Sequence, residues 1–238
     1  MKLIILRSNI KDGMGIIDKI GGENLNLPVL KNFLIETVEN KIKLSSTNLE
    51  LAITNFVSGK IIEEGGLTVP INIFTLIINN LQTERINLED KDGNLIIKAD
   101  NYQAKIHGIK KEEFPIIPKI SNNQNFLEIS THTLKQSLFS VISAAQFSNI
   151  RPELNGVLFN FQINSLKLAA TDSFRLAERT ISSNQFKTVI NKQFKIIIPL
   201  KTVQEAIRTI KDNDGKTEIY FDSNQVLFKT ENIELISR

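Results

Sequence analysis

Four short stretches of the chain carry residue types that could do chemistry. Ser8-Asn9-Ile10-Lys11 places a hydroxyl three residues before an amine, the spacing of serine acyltransferases. No companion motif follows, and the hydroxyl is wanted as the cap of a helix. Gly13-Met14-Gly15 lacks the third glycine of a phosphate cradle and falls inside a helical apolar stripe. Asp212-Asn213-Asp214-Gly215 resembles part of a calcium loop, but the first and twelfth ligand positions would be Ile210 and Phe221. It reads as a helix-ending turn. His107 falls in a strand and His132 in the first turn of a helix, neither beside a second ligating residue. Cysteine is absent, which excludes disulfides, thiolate metal sites and cysteine nucleophiles, and two histidines exclude a multi-histidine centre. The expectation is no catalytic residue, no metal and no cofactor: a binding or structural protein.

The rest of the chain must therefore be read for the surfaces it builds. At 238 residues, with 41% hydrophobic and 23% charged content, it is long enough for two domains with separate cores. The net charge is +3. Residues 1–120 hold 15 basic and 15 acidic side chains, leaving the whole surplus to residues 121–238. The second half is thus the better candidate to meet a polyanion. At the N-terminus the apolar run Leu3-Ile4-Ile5-Leu6 is broken by Arg7, too short for a signal peptide. No stretch approaches the ~20 apolar residues of a membrane span. A soluble cytoplasmic chain is expected.

Internal similarity organises the chain. Leu30-Lys31-Asn32-Phe33-Leu34-Ile35 aligns with Leu154-Asn155-Gly156-Val157-Leu158-Phe159. At the same offset Lys43-Leu44-Ser45-Ser46-Thr47-Asn48 aligns with Lys167-Leu168-Ala169-Ala170-Thr171-Asp172. Each copy reads as strand, turn and strand, with Asn40 and Asn164 in the turns. Val69-Pro70 and Ile198-Pro199 each open a helix, with apolar stripes Ile73, Ile77, Ile78, Leu81 and Thr202, Ala206, Ile207, Ile210. Leu95-Ile96-Ile97-Lys98 aligns with Val226-Leu227-Phe228-Lys229. Each copy also opens with a strand and a helix. Ser8 or Asn9 caps the first helix, with stripe Ile10, Met14, Ile17; Ser130 or Thr131 caps the other, with stripe Leu134, Leu138, Val141, Ala145. The plan predicts two α+β domains of one fold, residues 1–121 and 126–238, joined by a Pro- and Asn-rich linker from Phe114 to Asn125. Collinear blocks with a linker between them argue against one large mixed domain.

These blocks carry a family resemblance over the whole chain. Leu27-Pro28-Val29-Leu30, Ser46-Thr47-Asn48-Leu49-Glu50, Thr68-Val69-Pro70 and Glu113-Phe114-Pro115-Ile116-Ile117-Pro118 are similar to elements of the beta subunit of bacterial DNA polymerase III, the sliding clamp. In the second half Arg151-Pro152-Glu153-Leu154-Asn155-Gly156-Val157 resembles that family's Arg-Pro-x-Leu-x-Gly-Val. Ala170-Thr171-Asp172-Ser173-Phe174-Arg175-Leu176-Ala177 resembles its Ala-Thr-Asp-Gly-His-Arg-Leu-Ala, with Ser173-Phe174 standing for Gly-His. The stretch Gln146-Phe147-Ser148-Asn149-Ile150 looks a few residues shorter than the family's loop. The family has three copies of the domain; here the sequence stops at Arg238, within the closing strands of the second copy.

The resemblance implies two clamp domains with antiparallel sheets outside and two helices each on the inner face. It implies a DNA-encircling processivity factor that tethers replicative polymerase to duplex DNA, here as a fragment. The alternative is a clamp-like protein-interaction scaffold that does not encircle DNA. Implied partners are duplex DNA, and the polymerase III catalytic subunit and clamp loader through short linear peptides. A homodimer ring is expected only of a full three-domain chain. By matching position, the peptide pocket would use Leu154, Thr171, Ser173, Phe174, Arg175 and Leu176. Strand alternation alone would split these residues between two faces, so an irregular strand end is required. DNA contacts would fall to Arg151, Lys201, Arg208, Lys211, Lys135 and Lys19, and the subunit interface to Ile77, Leu81, Ala104 and Ile106.

Overall fold

The computed structural model describes residues 1–21, 27–120, 125–147, 151–190 and 193–238. Residues 121–124 of the expected linker and 148–150 of the loop before Arg151 lie outside them. The chain divides into two compact units, Met1–Pro118 and Lys119–Arg238.

In the first unit β1 (Lys2–Leu6) leads into α1 (Arg7–Ile17). Then come β2 (Asn32–Val38), β3 (Lys41–Thr47), β4 (Leu51–Val57), β5 (Lys60–Glu63) and β6 (Gly66–Pro70). After α2 (Ile71–Asn80) follow β7 (Arg85–Lys91), β8 (Asn94–Ala99), β9 (Tyr102–His107) and the short β10 (Ile109–Lys110). The strands pair antiparallel in the orders β5-β1-β7-β8-β9 and β10-β6-β2-β3-β4.

The second unit repeats the plan. It runs β11 (Phe126–Ser130), α3 (Thr131–Ile142), β12 (Gly156–Gln162), β13 (Ser165–Thr171), β14 (Leu176–Ser182) and β15 (Phe186–Thr188). It closes with β16 (Phe194–Pro199), α4 (Leu200–Thr209), β17 (Lys216–Phe221), β18 (Val226–Lys229) and β19 (Ile233–Ser237). Its antiparallel orders are β15-β11-β17-β18-β19 and β16-β12-β13-β14. These correspond strand for strand to the first unit, except that β10 has no counterpart among the described residues of the second. The sequence repeat is thus a repeat of topology, and the α+β architecture in two copies is as expected.

Alternation places one side of every central strand in the core. Leu3 and Ile5 of β1 face Leu88 and Ile86 of β7, all at most 1% exposed. In each unit the two helices pack together, α1 on α2 and α3 on α4, and α1 lies against β3 and β4. Gly13 permits that approach: a Cβ there would come within 2.8 Å of Leu44 Cδ1 and Val57 Cγ1. The glycine serves helix packing, which agrees with discarding it as a phosphate cradle. Phe33 and Phe74 meet at 5.0 Å in the first core; Phe159, Phe161, Phe194 and Phe221 form a ring cluster in the second.

Three local expectations fail. Neither Ser8 nor Asn9 caps α1, which begins at Arg7 directly after β1 with Leu6 at the cap position. Ser8 instead gives its backbone N–H and hydroxyl to the Glu84 carboxylate, and Arg7 N donates to Glu84 O. Ser130 makes no capping bond, while Thr131 lies inside α3, buried, sharing a 2.9 Å hydroxyl bond with Thr217. In both copies the strand runs straight into the helix, so tertiary partners satisfy the helix start. The buried stripe of α2 is Ile71, Phe74 and Ile78; Ile73 is 51% exposed. The isoleucine-rich run Ile71-Asn72-Ile73 hides its phase, because apolar residues fall on both faces.

Candidate peptide-docking site

The segment after β13 is built by two side chains that bond their own backbone. Thr171 Oγ1 accepts from Ser173 N at 3.1 Å and donates to Arg175 O at 2.7 Å. Asp172 Oδ1 accepts from Phe174 N at 3.0 Å and Arg175 N at 2.9 Å, while Oδ2 receives Arg175 Nε at 2.9 Å. Those backbone N–H groups, with the guanidinium alongside, hold the Asp172 carboxyl below its ordinary value. Thr and Asp compete well for local backbone groups, and here they end the strand in a turn. Ser173 takes the left-handed φ of +77° that this turn requires.

The first unit carries the same turn. Thr47 Oγ1 accepts from Leu49 N and donates to Leu51 O, both at 3.0 Å, and Asn48 Oδ1 accepts from Glu50 N and Leu51 N. Leu49 has φ +78°. The aligned blocks Thr47-Asn48 and Thr171-Asp172 are therefore one turn device used twice, and the irregular strand end that a two-faced pocket needs is present.

A hollow of about 460 Å³ opens beside the second turn, lined by Gln146, Phe147, Arg151, Leu154, Asp172, Ser173 and Phe174. Phe174 is 95% exposed and Phe147 71%. Arg151 Nη1 donates to Ser173 Oγ at 2.9 Å, which ties the start of the Arg151–Leu154 segment to the turn. The hollow thus offers two aromatic faces, the half-buried Leu154 and a cation.

Of the six expected pocket residues, Leu154, Ser173 and Phe174 line this hollow. Thr171, Arg175 and Leu176 do not. The Thr171 hydroxyl is occupied within the turn, the Arg175 guanidinium is drawn to Asp172, and Leu176 opens β14 with its side chain 70% exposed. Gln146, Phe147 and Asp172 were missed. Phe147 follows the apolar stripe of the preceding helix, so it reads as core; only its exposure marks it. Arg151, expected to touch DNA, stands in the wall of the hollow.

The other candidate cations are dispersed. Lys201 and Arg208, seven residues apart, share one face of α4, with Lys201 exposed and Arg208 ion-paired to Glu205 at 2.7 Å. Lys211 is exposed just beyond α4. Lys135 of α3 pairs with Asp212 at 3.4 Å, and Lys19 is exposed beyond α1. Among the interface candidates Leu81 and Ile106 are core residues, 6% and 4% exposed, while Ile77 and Ala104 are half-buried. The inward phase of α2 and β9 takes Leu81 and Ile106 away from any partner; on α2 the exposed apolar side chains are Ile73 and Leu76. Strand β9 is an edge of its sheet.

Two tandem α+β units of one topology, each with two helices packed on each other and against antiparallel strands, define a DNA-clamp fold. The pattern of the DNA polymerase III beta subunit N-terminal domain matches residues 1–118, and that of its central domain matches residues 128–238. The chain belongs to the DNA polymerase III beta-subunit family, the sliding clamps of DNA replication. It is 30% identical over 221 residues to the beta sliding clamp of Staphylococcus aureus, and 31% over 221 residues to that of Staphylococcus epidermidis. Each alignment covers 89% of this chain and 57% of the relative, so the chain spans little over half the length of those proteins. A DNA polymerase III beta subunit structure from Eubacterium rectale superposes with a TM-score of 0.90 at 27% identity, covering 100% of this chain and 64% of that one. The Pseudomonas aeruginosa subunit gives 0.92 at 22% identity with the same coverage, a likeness of fold.

Proposed function

We propose that the chain works as a sliding clamp: a processivity factor, without chemistry of its own, that tethers replicative polymerase to duplex DNA in the cytoplasm. A surface sticky enough to hold polymerase on DNA would resist sliding, because sequence-independent binding rests on many phosphate contacts. A closed ring, expected of a full three-domain chain, escapes that conflict, since release then requires opening an interface and weak inner contacts suffice. Lys201, Arg208 and Lys211 on and beside α4 supply such contacts in this reading.

The observation that carries the reading is the hollow beside the Thr171–Arg175 turn. Linear peptides from the polymerase III catalytic subunit and the clamp loader dock there. Burying one aliphatic or aromatic anchor against Phe147, Leu154 and Phe174 is worth about 1.5–3 kcal/mol, while Arg151 fixes direction at the rim. Calorimetric titration with a clamp-binding peptide from a replicative polymerase tests this. Phe174→Ala is expected to weaken binding about tenfold or more, the effect of losing about 1.4 kcal/mol or more. Tyr102→Ala, on the other unit, leaves binding unchanged. Equal affinity of wild type and Phe174→Ala would refute the assignment and favour a scaffold that uses another surface.

A further inference from the structure

Residues 1–120 carry equal numbers of basic and acidic side chains, yet the ladder of the first unit sorts them by face. In the sheet β5-β1-β7-β8-β9, Lys2 stands opposite Glu89 and Glu63, Ile4 opposite Asn87 and Lys60, and Leu6 opposite Arg85. Further across, Asn87 stands opposite Lys98, Glu89 opposite Ile96 and Lys91 opposite Asn94. The last pairs are Ile96 with Lys105, Lys98 with Gln103 and Asn94 with His107. Paired residues share a face, as do residues two apart. The alternate positions Leu3, Ile5, Ile86, Leu88, Leu95 and Ile97 are all core, at most 1% exposed.

The face turned away from that core therefore gathers Lys2, Lys60, Arg85, Lys91, Lys98 and Lys105, against Glu63 and Glu89. Glu89 lies at the centre of the charge and serves three lysines at once, Lys2 at 3.8 Å, Lys91 at 3.5 Å and Lys98 at 3.9 Å. One carboxylate balances one of the three. Lys60, Arg85 and Lys105 are exposed. Strand spacing of about 4.8 Å sets Lys60 on β5 and Lys105 on β9 about 19 Å apart, so the cations cover a broad field.

We propose that this sheet face binds duplex nucleic acid through its phosphates, independently of base sequence and separately from the helix α4 contacts. The chemistry of the face selects that partner. Five of its six cations are lysines, compact point charges that neutralise phosphate without the forked geometry of base readout. It carries no Phe, Tyr or Trp on which unpaired bases would stack. Ile96 at its centre is only 8% exposed, so apart from Leu6 at one corner and Ile62 on the edge strand β5 a peptide has little apolar area to anchor on. A duplex, with one charge per about 1.7 Å of axis, meets a broad cationic field better than a single extended peptide does.

The test is fluorescence anisotropy of a labelled duplex against salt, with the wild-type chain and the triple variant Lys60→Gln, Lys98→Gln, Lys105→Gln. The variant is expected to bind more weakly, with a log–log salt slope shallower by about 2.7, or about 0.9 for each lost contact. A Lys201→Gln, Lys211→Gln variant should keep the share of the slope due to the sheet. Amide NMR shifts on adding duplex should include β1, β7, β8 and β9. An unchanged slope and affinity in the triple variant, or duplex-induced shifts confined to the helices, would overturn the proposal. So would a glutamate-rich peptide that perturbs the face when duplex does not.

Discussion

Replacing Ser173 separates backbone strain from hydrogen bonding at the turn that shapes the hollow. Ser173 holds φ +77° and accepts the Arg151 guanidinium at 2.9 Å. A non-glycine residue in the left-handed region costs roughly 1–2 kcal/mol. Glycine removes that cost but gives back about 0.4–1 kcal/mol through its freer unfolded chain. Both Ser173→Ala and Ser173→Gly lose the exposed hydrogen bond, worth about 0.5 kcal/mol. The bond therefore cancels between the two variants, and glycine should exceed alanine by about 1 kcal/mol. For a domain of this size that is about 3–5 °C in melting temperature, with alanine below wild type and glycine slightly above it. Scanning calorimetry of the three proteins reads this directly. Alanine and glycine variants that melt together would show that the turn stores no such strain.

Three further outcomes follow from packing and titration. Phe221→Ala, at the centre of the ring cluster of the second unit, should lower unfolding free energy by about 3–5 kcal/mol in urea melts; a loss under about 1 kcal/mol would deny the cluster its structural weight. Tyr220 is pushed up to about 12, first by burial and then by its bond to Glu218, so the neutral phenol is favoured in the fold. Its stabilising contribution is whole below the ordinary value of 10.0 and is lost as pH rises toward 12; absorbance titration near 295 nm should show one tyrosine ionising that late, and Tyr220→Phe should remove the component. Glu84 is held below its ordinary 4.5, chiefly by the Ser8 hydroxyl and amide, so its contribution is present above that value and fades as pH falls. Ser8→Ala should flatten the acid limb of the urea midpoint between pH 3 and 6; an unchanged limb would remove Ser8 as the cause.

The repeat was legible because it is written in patterns that survive divergence: alternating strands, Pro before a helix, a Thr-Asx pair at a strand end. What the pattern withheld was phase and partnership. Ile73 and Leu81 have equal claims to the stripe of α2 by spacing, yet Ile73 is exposed and Leu81 buried. Ser8 reads as a cap because a serine before an apolar stripe usually is one, and Glu84, its actual partner, lies 76 residues away. The basic sheet face was invisible to summed charge, since its lysines are balanced in number by carboxylates elsewhere in the same unit. Only the register reveals it. In the hollow, resemblance located the turn and Leu154 but not the rest of the wall. Phe147 and Asp172 join the lining through the way the chain folds back, which no local spacing encodes.

The proposed function stands on capture of partner peptides by the hollow beside the Thr171–Arg175 turn. Amide chemical-shift mapping during titration of the intact chain with a clamp-binding polymerase peptide tests it most directly. Saturable shifts are expected at Phe147, Arg151, Leu154, Ser173 and Phe174, with the Thr47–Leu51 turn of the first unit undisturbed. Saturable shifts that spare these residues and gather elsewhere would contradict it.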